Sequence, residues 1–314
     1  MASSGPENLT SAPPTEMSAD KRHAVLKGNC HCGRHRFEYK LPVDRKLQDE
    51  AVKCSCRLCF LKGYIWLPVR ESTPSEGELI WTQNDGELIK NSSPVMNNEF
   101  CGNCGTGMTA THFFGPLKDR PLVNLRAIQG VDIFFLDSVV KTINIKEELP
   151  HEPLSLRSSD VLYNGSCFCR KVQVELLRHE QAWEVKEDNC SSCVRDAYVG
   201  IYPTKEYVRI PEEAYNQTFE YRYNSKGNGI RHCSSCGVMV FMTVDGPPGL
   251  EEMLGRLKEQ NPERYEQMKK MVDANLSLQP LNLRTLEMVD WEEMYVRRVV
   301  RSDVGTAGYV LAEN

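Results

Sequence analysis

The stretch Gly28-Asn29-Cys30-His31-Cys32-Gly33 places two cysteines one residue apart between glycines. Close spacing returns at Cys54-Ser55-Cys56-Arg57-Leu58-Cys59 and at Phe100-Cys101-Gly102-Asn103-Cys104-Gly105. All 13 cysteines of the chain lie in such C-x-C or C-x-x-C clusters. Cysteines that only fill a core would be scattered, whereas a short turn lets two thiolates reach one ion. The clusters therefore predict metal binding, and we expect the metal to be zinc.

The order of the clusters repeats along the chain. Cysteine pairs recur 137, 134 and 132 residues later, as Cys167/Cys169, Cys190/Cys193 and Cys233/Cys236. The hexapeptide Val123-Asn124-Leu125-Arg126-Ala127-Ile128 also recurs, as Leu281-Asn282-Leu283-Arg284-Thr285-Leu286. Landmarks that return in one order indicate a tandem duplication.

The segments between the landmarks favour strands. Residues 36–41 and 172–176 alternate apolar and polar side chains, which is the pattern of a half-buried strand. Residues 64–69, 198–203 and 220–223 also predict strands. We expect a mainly β protein, with two tandem antiparallel domains at 22–149 and 160–314. A polar segment at 150–159 would link them, and residues 1–21 predict a disordered tail.

Composition narrows the function classes. The chain of 314 residues carries a formal charge of −5, and 26% of its residues are charged. No basic run predicts a nucleic-acid partner, and no stretch approaches the length of a membrane span. Without an apolar leader the sequence predicts a cytoplasmic protein, where disulfides are rare.

One insertion distinguishes the second half. The distance from Cys236 to Asn282 exceeds that from Cys104 to Asn124 by 26 residues. Helical apolar spacing over about 249–273 predicts a helical hairpin there, with Asn261 as N-cap before Pro262. Packing against its own domain, a dimer contact and an active-site lid are the alternatives for this hairpin.

The three clusters together resemble the glutathione-dependent formaldehyde-activating enzyme family, which includes the centromere protein V domain. Residues 22–149 are similar to it throughout, and residues 160–311 are similar with departures. The resemblance implies a β-tent fold and two structural zinc sites with four thiolates each. These sites are Cys30, Cys32, Cys101 and Cys104 in the first half, and Cys167, Cys169, Cys233 and Cys236 in the second.

The middle cluster has a different role in that family, as the proposed catalytic site. Cys54, Cys56 and Cys59 supply three thiolates, and an open fourth position is the arrangement of a catalytic zinc. A structural zinc whose fourth ligand is a His or Asp elsewhere is the alternative.

The second half departs from the motif in its middle cluster. Asp188 stands where the first half has Cys54, so Cys190 and Cys193 have only a possible carboxylate partner, which weakens a thiolate-type site. Arg170 replaces the glycine after the first pair. His232 precedes the third cluster and is either a replacement ligand or a packing side chain.

The resemblance implies a carbon–sulfur lyase or synthase that acts on glutathione or a glutathione conjugate and a small aldehyde. The alternative is a non-catalytic, zinc-stapled binding scaffold like the centromere protein V relatives. The identity of the aldehyde, the glutathione-binding residues and the oligomeric state do not follow from the sequence.

Overall fold

The computed structural model describes residues 16–17, 23–70, 78–86, 88–113, 115–145, 158–180, 183–223 and 227–300. The protein is mainly β, as the sequence predicts. Most of the tail at 1–21, most of the linker at 150–159 and the end of the second half at 301–314 lie outside the described residues. Within the described parts no helix is long and apolar enough to span a membrane.

The first half contains two sheets. Strands β1, β2, β3 and β6 form one sheet in that order, and the other follows the order β11-β4-β5-β10-β9-β8-β7. The strands are β1 Glu16–Met17, β2 His23–Asn29, β3 His35–Pro42, β4 Val52–Cys54, β5 Ile65–Pro68, β6 Leu79–Asn84, β7 Leu88–Ser92, β8 Met96–Cys101, β9 Gly107–His112, β10 Pro121–Asn124 and β11 Lys141–Ile143. The helices are α1 Leu47–Glu50, α2 Arg57–Lys62, α3 Ile133–Val139 and the 3₁₀ turn Leu125–Ala127.

The second half also contains a small and a large sheet. Strands β12, β13 and β16 form the small sheet, and the large one follows the order β17-β18-β19-β20-β15-β14-β21. The strands are β12 Val161–Ser166, β13 Gln173–Leu177, β14 Val185–Asp188, β15 Val199–Ile201, β16 Val208–Arg209, β17 Thr218–Tyr221, β18 Asn228–Cys233, β19 Met239–Val244, β20 Leu281–Asn282 and β21 Val296–Val299. The helices are α4 Ser191–Asp196, α5 Glu212–Asn216, α6 Leu250–Gln260, α7 Pro262–Leu276 and the 3₁₀ turns Lys205–Tyr207 and Leu283–Thr285.

The two seven-stranded sheets have corresponding strand orders when one of them is read backwards. Each carries a cysteine pair of the third cluster at the turn after its long hairpin strand, β8 or β18. The prediction of purely antiparallel sheets is wrong at one edge of each, because β11 pairs parallel with β4 and β21 pairs parallel with β14. In both cases the edge strand arrives late in its half, after a long excursion of the chain that permits a parallel crossover.

The strand predictions are confirmed, with boundaries shifted by a residue or two. In β3 buried and half-buried residues alternate over the whole strand, as the period of two predicts. The repeated hexapeptides end in 3₁₀ turns capped by their asparagines. Asn124 donates its side-chain N–H to the carbonyl of Gly107, and Asn282 donates to that of Met239. These asparagines join β10 to β9 and β20 to β19 beside the third clusters.

The halves pack against each other through corresponding residues. A Cβ on Gly237 would clash with the ring of Phe100, and a Cβ on Gly105 would clash with the ring of His232. Phe100, which precedes the third cluster of the first half, therefore packs on Gly237, which follows the third cluster of the second half. His232 packs on Gly105 in the corresponding way. The C-terminal ends of α2 and α4 also meet, since a Cβ on Gly63 would clash with the Cβ of Ala197.

Buried cations complete this interface. Arg126 donates to the carbonyls of Gly63 and Val194, and Arg284 donates to those of Ala197 and Phe60, so each arginine bonds both halves. Burial lowers the pKa of Arg126 to about 10, which leaves its guanidinium charged at neutral pH. These bonds satisfy the carbonyl groups at the ends of α2 and α4, which helices leave without partners.

The helical hairpin is confirmed as α6 and α7, three residues longer than predicted at its end. Asn261 caps α7 by accepting a hydrogen bond from the amide of Arg264 at 3.0 Å, as expected. Leu250 and Leu254 of α6 are buried, but no residue of α7 is, and Met271 is 68% exposed. The fully buried residues of the hairpin thus all lie on α6.

We expect Gly63→Ala to destabilise the protein more than Gly86→Ala does. Both glycines have positive φ, but nothing lies within 4 Å of a Cβ on Gly86. The control should lose about 1 kcal/mol of unfolding free energy from backbone strain. Gly63→Ala should lose about 2 kcal/mol more because it forces α2 and α4 apart. Urea denaturation of the metal-loaded protein measures both, and equal losses would contradict the contact between the helix ends.

Candidate metal centres and the cavity between the halves

Four thiols of the first half converge where the sequence predicts. Cys30 and Cys32 lie at the turn after β2, and Cys101 and Cys104 lie at the turn after β8. All four sulfurs are within 4.8 Å of one another. The Cys30–Cys32 and Cys32–Cys101 sulfur pairs are each 3.6 Å apart.

The second half brings together a corresponding set. Cys167, Cys169, Cys233 and Cys236 also lie within 4.8 Å of one another. The sulfur of Cys169 is 3.6 Å from that of Cys167 and 3.5 Å from that of Cys233. In the turn after β12, Arg170 stands in place of a glycine. It adopts the left-handed conformation of Gly33, with a φ of 59° against 79°.

Both four-thiol groups could hold a metal ion. Two sulfurs bound to one tetrahedral zinc at about 2.3 Å lie about 3.8 Å apart, close to the spacing found here. In the turn that carries the first cluster of each half, a backbone amide donates to the first cysteine sulfur at 3.3 Å. The amide of His35 donates to Cys30, and that of Val172 donates to Cys167. Hydrogen bonds from neighbouring thiols, that of Cys104 foremost, hold the pKa of Cys101 far below its usual range. Contacts with Cys101 raise the pKa of Cys30, and burial raises that of Cys104, so only part of the group is in the thiolate form that metals bind.

The middle cluster of the first half includes a residue that the sequence did not single out. The ligand atoms of Cys54, Cys59 and His112 lie within 4.8 Å of one another, and all three residues are buried. Cys54 ends β4, Cys59 lies in α2 and His112 ends β9. The Trp66 indole donates to the Cys59 sulfur at 3.2 Å and fixes its position.

His112 has the properties of a metal ligand. Its side chain is fully buried, and among the described residues neither ring nitrogen has a hydrogen-bond partner. Burial lowers its pKa, so the imidazole stays neutral as ligation requires. A buried polar group without a partner is costly, and a metal ion would satisfy it. The residue fits the predicted alternative of a distant His ligand, but its position, eight residues after Cys104, carries no ligand-spacing signature.

Cys56, predicted as the third thiolate of this site, lies beside the group rather than within it. It is buried, and its amide donates to the sulfur of Cys54 at 3.4 Å. Hydrogen bonds from Cys56 and then Cys59 lower the pKa of Cys54 to about 3. The cluster therefore offers two thiolates and an imidazole at close range, with a third thiol adjacent.

The corresponding cluster of the second half is more open. Asp188, Cys190 and Cys193 come together within 4.8 Å, and each is only partly buried. Val244 occupies the strand register that His112 occupies in the first half, because Met96 pairs with His112 and Asn228 pairs with Val244. The sulfurs of Cys190 and Cys193 are 2.9 Å apart. Their hydrogen bond lowers the pKa of Cys190 to about 7.

His232 is a packing side chain, not a ligand in any cysteine group of the described residues. Its Nε2 lies 3.0 Å from the carboxylate of Asp196, and its ring stacks on Phe219. In the first half Phe100 takes the place of His232, and Lys62 takes the place of Asp196. The Lys62 ammonium is 4.9 Å from the centre of the Phe100 ring.

A cavity of about 460 Å³ borders the middle cluster of the first half. This volume lies in the range of small-molecule sites, about 300–1,000 Å³. Both halves contribute to its walls. The lining comprises Lys53, Cys54, Ser55, Cys59, Phe60, Gly63, Tyr64, Asp137 and Thr142 of the first half and Glu187, Val199, Arg284, Trp291, Val296 and Arg298 of the second.

Charge in this cavity is mixed, with three cations facing two carboxylates. Arg298 bonds Glu187 at 3.1 Å and Asp137 at 3.2 Å, and so connects the halves across the cavity. Lys53 lies 3.4 Å from Asp137. Burial alone would raise the pKa of Asp137, but Lys53 and the arginines bring it below its usual value. The carboxylates orient the cations, and with Cys54 as a thiolate the charges of the lining balance.

Replacing His112 and His232 by the residues at the corresponding positions of the other half tests whether His112 is a metal ligand. After zinc reconstitution, His112→Val should lose one zinc equivalent to a competing chelator because the middle cluster loses its imidazole. His232→Phe is the matched control and should keep wild-type zinc content. Chelator titration followed by elemental analysis measures both. Unchanged retention in His112→Val would contradict ligation by His112.

No protein-family model and no curated protein matches the chain. Among solved structures, the crystal structure of a Rhodobacter sphaeroides protein is similar at 14% identity and a TM-score of 0.31. The match covers 43% of this chain and 99% of that one.

Proposed function

We propose that the protein is a zinc-dependent carbon–sulfur lyase or synthase of the glutathione-dependent formaldehyde-activating type, built from two tandem zinc-stapled domains. The observation that carries the proposal is the cavity that joins Cys54 and Cys59 to a cationic wall from the second half. Similarity of the cysteine motifs supports the same chemistry.

The residues fit the metal that this function requires. Cys54, Cys59 and His112 would hold the catalytic zinc, with Cys56 adjacent, and the two four-cysteine groups would hold structural zinc. Two cysteines and one histidine form a known catalytic zinc set, which leaves one position for substrate. When bound, zinc supplies the charge that keeps a thiol deprotonated at neutral pH.

The cavity suits a thiol peptide with carboxylates at its ends. Arg298 and Lys53 lie at the cavity wall, where they would bind glutathione carboxylates. Phe60 and Trp291 meet edge to face with ring centres 5.5 Å apart and provide an apolar wall. This arrangement would orient the thiol towards Cys54 and exclude bulk water from the reacting sulfur.

The proposed reaction is addition of the glutathione thiol to an aldehyde, or its reversal. The sulfur forms a bond to the carbonyl carbon while the carbon–oxygen π pair moves to oxygen. The thiol proton ends on that oxygen, which gives an S-hydroxyalkyl conjugate without any oxidant. The cavity would hold both reactants together, and proximity of this kind lowers the barrier of a two-reactant step.

Exchange NMR with ¹³C-formaldehyde and glutathione tests the activity. We expect zinc-loaded protein to accelerate exchange over the spontaneous reaction and Cys54→Ala to return it to that background. Lys269→Ala, which alters the exposed face of α7, should match wild type. Wild-type exchange at the background rate, with three zinc ions per chain, would refute the proposed enzyme.

Neighbouring arginines of β21 test the glutathione site. Arg298 borders the cavity, whereas Arg297 pairs with the exposed Glu184. Arg298→Gln should raise the KM for glutathione by about ten- to hundredfold, since a hydrogen bond to a charged group contributes about 1.5–3 kcal/mol. Arg297→Gln should leave KM unchanged. Equal KM values in steady-state exchange kinetics would show that Arg298 does not bind substrate, once thermal denaturation has shown both variants to be folded.

A non-catalytic scaffold is the second candidate, and His112 favours it. If Cys56 joined Cys54, Cys59 and His112, four ligands would close the coordination shell and make the site structural. A scaffold would hold three zinc ions and leave the exchange rate at background, so the NMR experiment separates the two functions.

A further inference from the structure

The Cys190–Cys193 pair differs from every other cysteine group in the described residues by its accessibility. Its first-half counterparts, Cys56 and Cys59, are each 1% exposed, whereas Cys190 and Cys193 are both partly exposed. The four-cysteine groups each retain at least three buried members. A small molecule in solvent can therefore reach this pair more readily than the other clusters, through Cys190 rather than the more deeply placed Cys193.

The two sulfurs lie closer together than two thiolates bound to one tetrahedral zinc. At 2.9 Å they are closer than the 3.5–3.6 Å found within the four-cysteine groups. Two thiolates on one zinc would lie about 3.8 Å apart, while a disulfide has a bond of about 2.05 Å. The pair needs to close by less than 1 Å to form that bond.

The other ligands of a zinc site have also been replaced around this pair. Asp188 stands where Cys54 stands in the first half, and it accepts a hydrogen bond from the Cys190 amide at 2.8 Å. Val244 occupies the strand register of His112. What remains is a C-x-x-C dithiol with a carboxylate whose oxygen already bonds the backbone.

We propose that Cys190 and Cys193 form a redox-active dithiol that is reversibly oxidised to a disulfide by glutathione disulfide or a similar small disulfide. One thiolate of the pair attacks a sulfur of the oxidant, forming a mixed disulfide and releasing one glutathione thiolate. The second sulfur attacks the first, the mixed disulfide breaks, and a second glutathione leaves. Two electrons pass from the pair to the oxidant, and the two thiol protons end on the two glutathione molecules.

The pair lies at a contact between the halves. Ser191, between the two cysteines, has its hydroxyl 3.0 Å from Nε2 of His31, which lies between Cys30 and Cys32. Arg195 of the same helix donates to the carbonyl of Asn29 at 3.2 Å. Oxidation would therefore take place beside Cys30 and Cys32. The proposal does not depend on the function proposed above.

Thiol mapping of the full zinc-loaded chain in glutathione buffers tests the proposal. As the share of glutathione disulfide rises, we expect two of the 13 thiols to be lost first, as an intramolecular Cys190–Cys193 disulfide seen by peptide mass spectrometry. Zinc content should stay constant. Dithiothreitol should restore both thiols.

Single substitutions supply the controls. Cys190→Ser and Cys193→Ser should each lose the intramolecular disulfide and trap glutathione on the remaining cysteine of the pair. The proposal is overturned if the four-cysteine groups oxidise at the same or a lower share of glutathione disulfide. It is also overturned if a micromolar excess of zinc protects the wild-type pair, because that result would identify a metal site.

Discussion

The fold depends on the close approach of four sulfurs in each half. Cys30 and Cys32 follow β2 while Cys101 and Cys104 follow β8, so one cluster joins segments about 70 residues apart. Four thiolates this close would repel one another strongly without a cation between them, and a bound metal turns that repulsion into a cross-link. The turn after β8 also sets the start of β9, the strand that carries His112 to the middle cluster. The candidate active site therefore depends on the four-cysteine group beside it.

The contact between the halves places a single ammonium between the two third clusters. Lys62 is fully buried and donates to the carbonyls of Gly105 and Gly237, the residues that follow Cys104 and Cys236. Burial lowers its pKa to about 8, yet the thiolates of both clusters favour the charge. The corresponding residue of the second half is Asp196, which bonds His232 instead. One lysine thus serves both halves, and a second at the equivalent position would add an unneeded buried charge.

Much of this arrangement was predictable from the sequence. Cysteine spacing located the clusters, and alternation located β3 and β13, because these signals are local. The grouping of the first and third clusters into four-thiol sites came from the family resemblance. Local signals do not reveal His112, which β9 brings near Cys54 of β4 only because β10 and β5 pair between these two strands. Nor do they reveal that Phe100 lies on Gly237 and His232 on Gly105, since these contacts join positions more than 100 residues apart. The parallel edge strands were missed for the same reason, as pairing partners are a property of the whole fold.

The differences between the halves follow from where each middle cluster lies. The first half keeps Cys54 and His112 in a buried site, and the cavity beside it takes Glu187, Arg284 and Arg298 from the second half. The second half thus completes the cavity of the first, while its own middle cluster offers only two thiols and a carboxylate. Asp188 and Val244 could then replace a thiolate and an imidazole without disturbing the cavity, because Cys190 and Cys193 are absent from its walls. That pair is partly exposed and has the chemistry that two adjacent thiols possess without a metal.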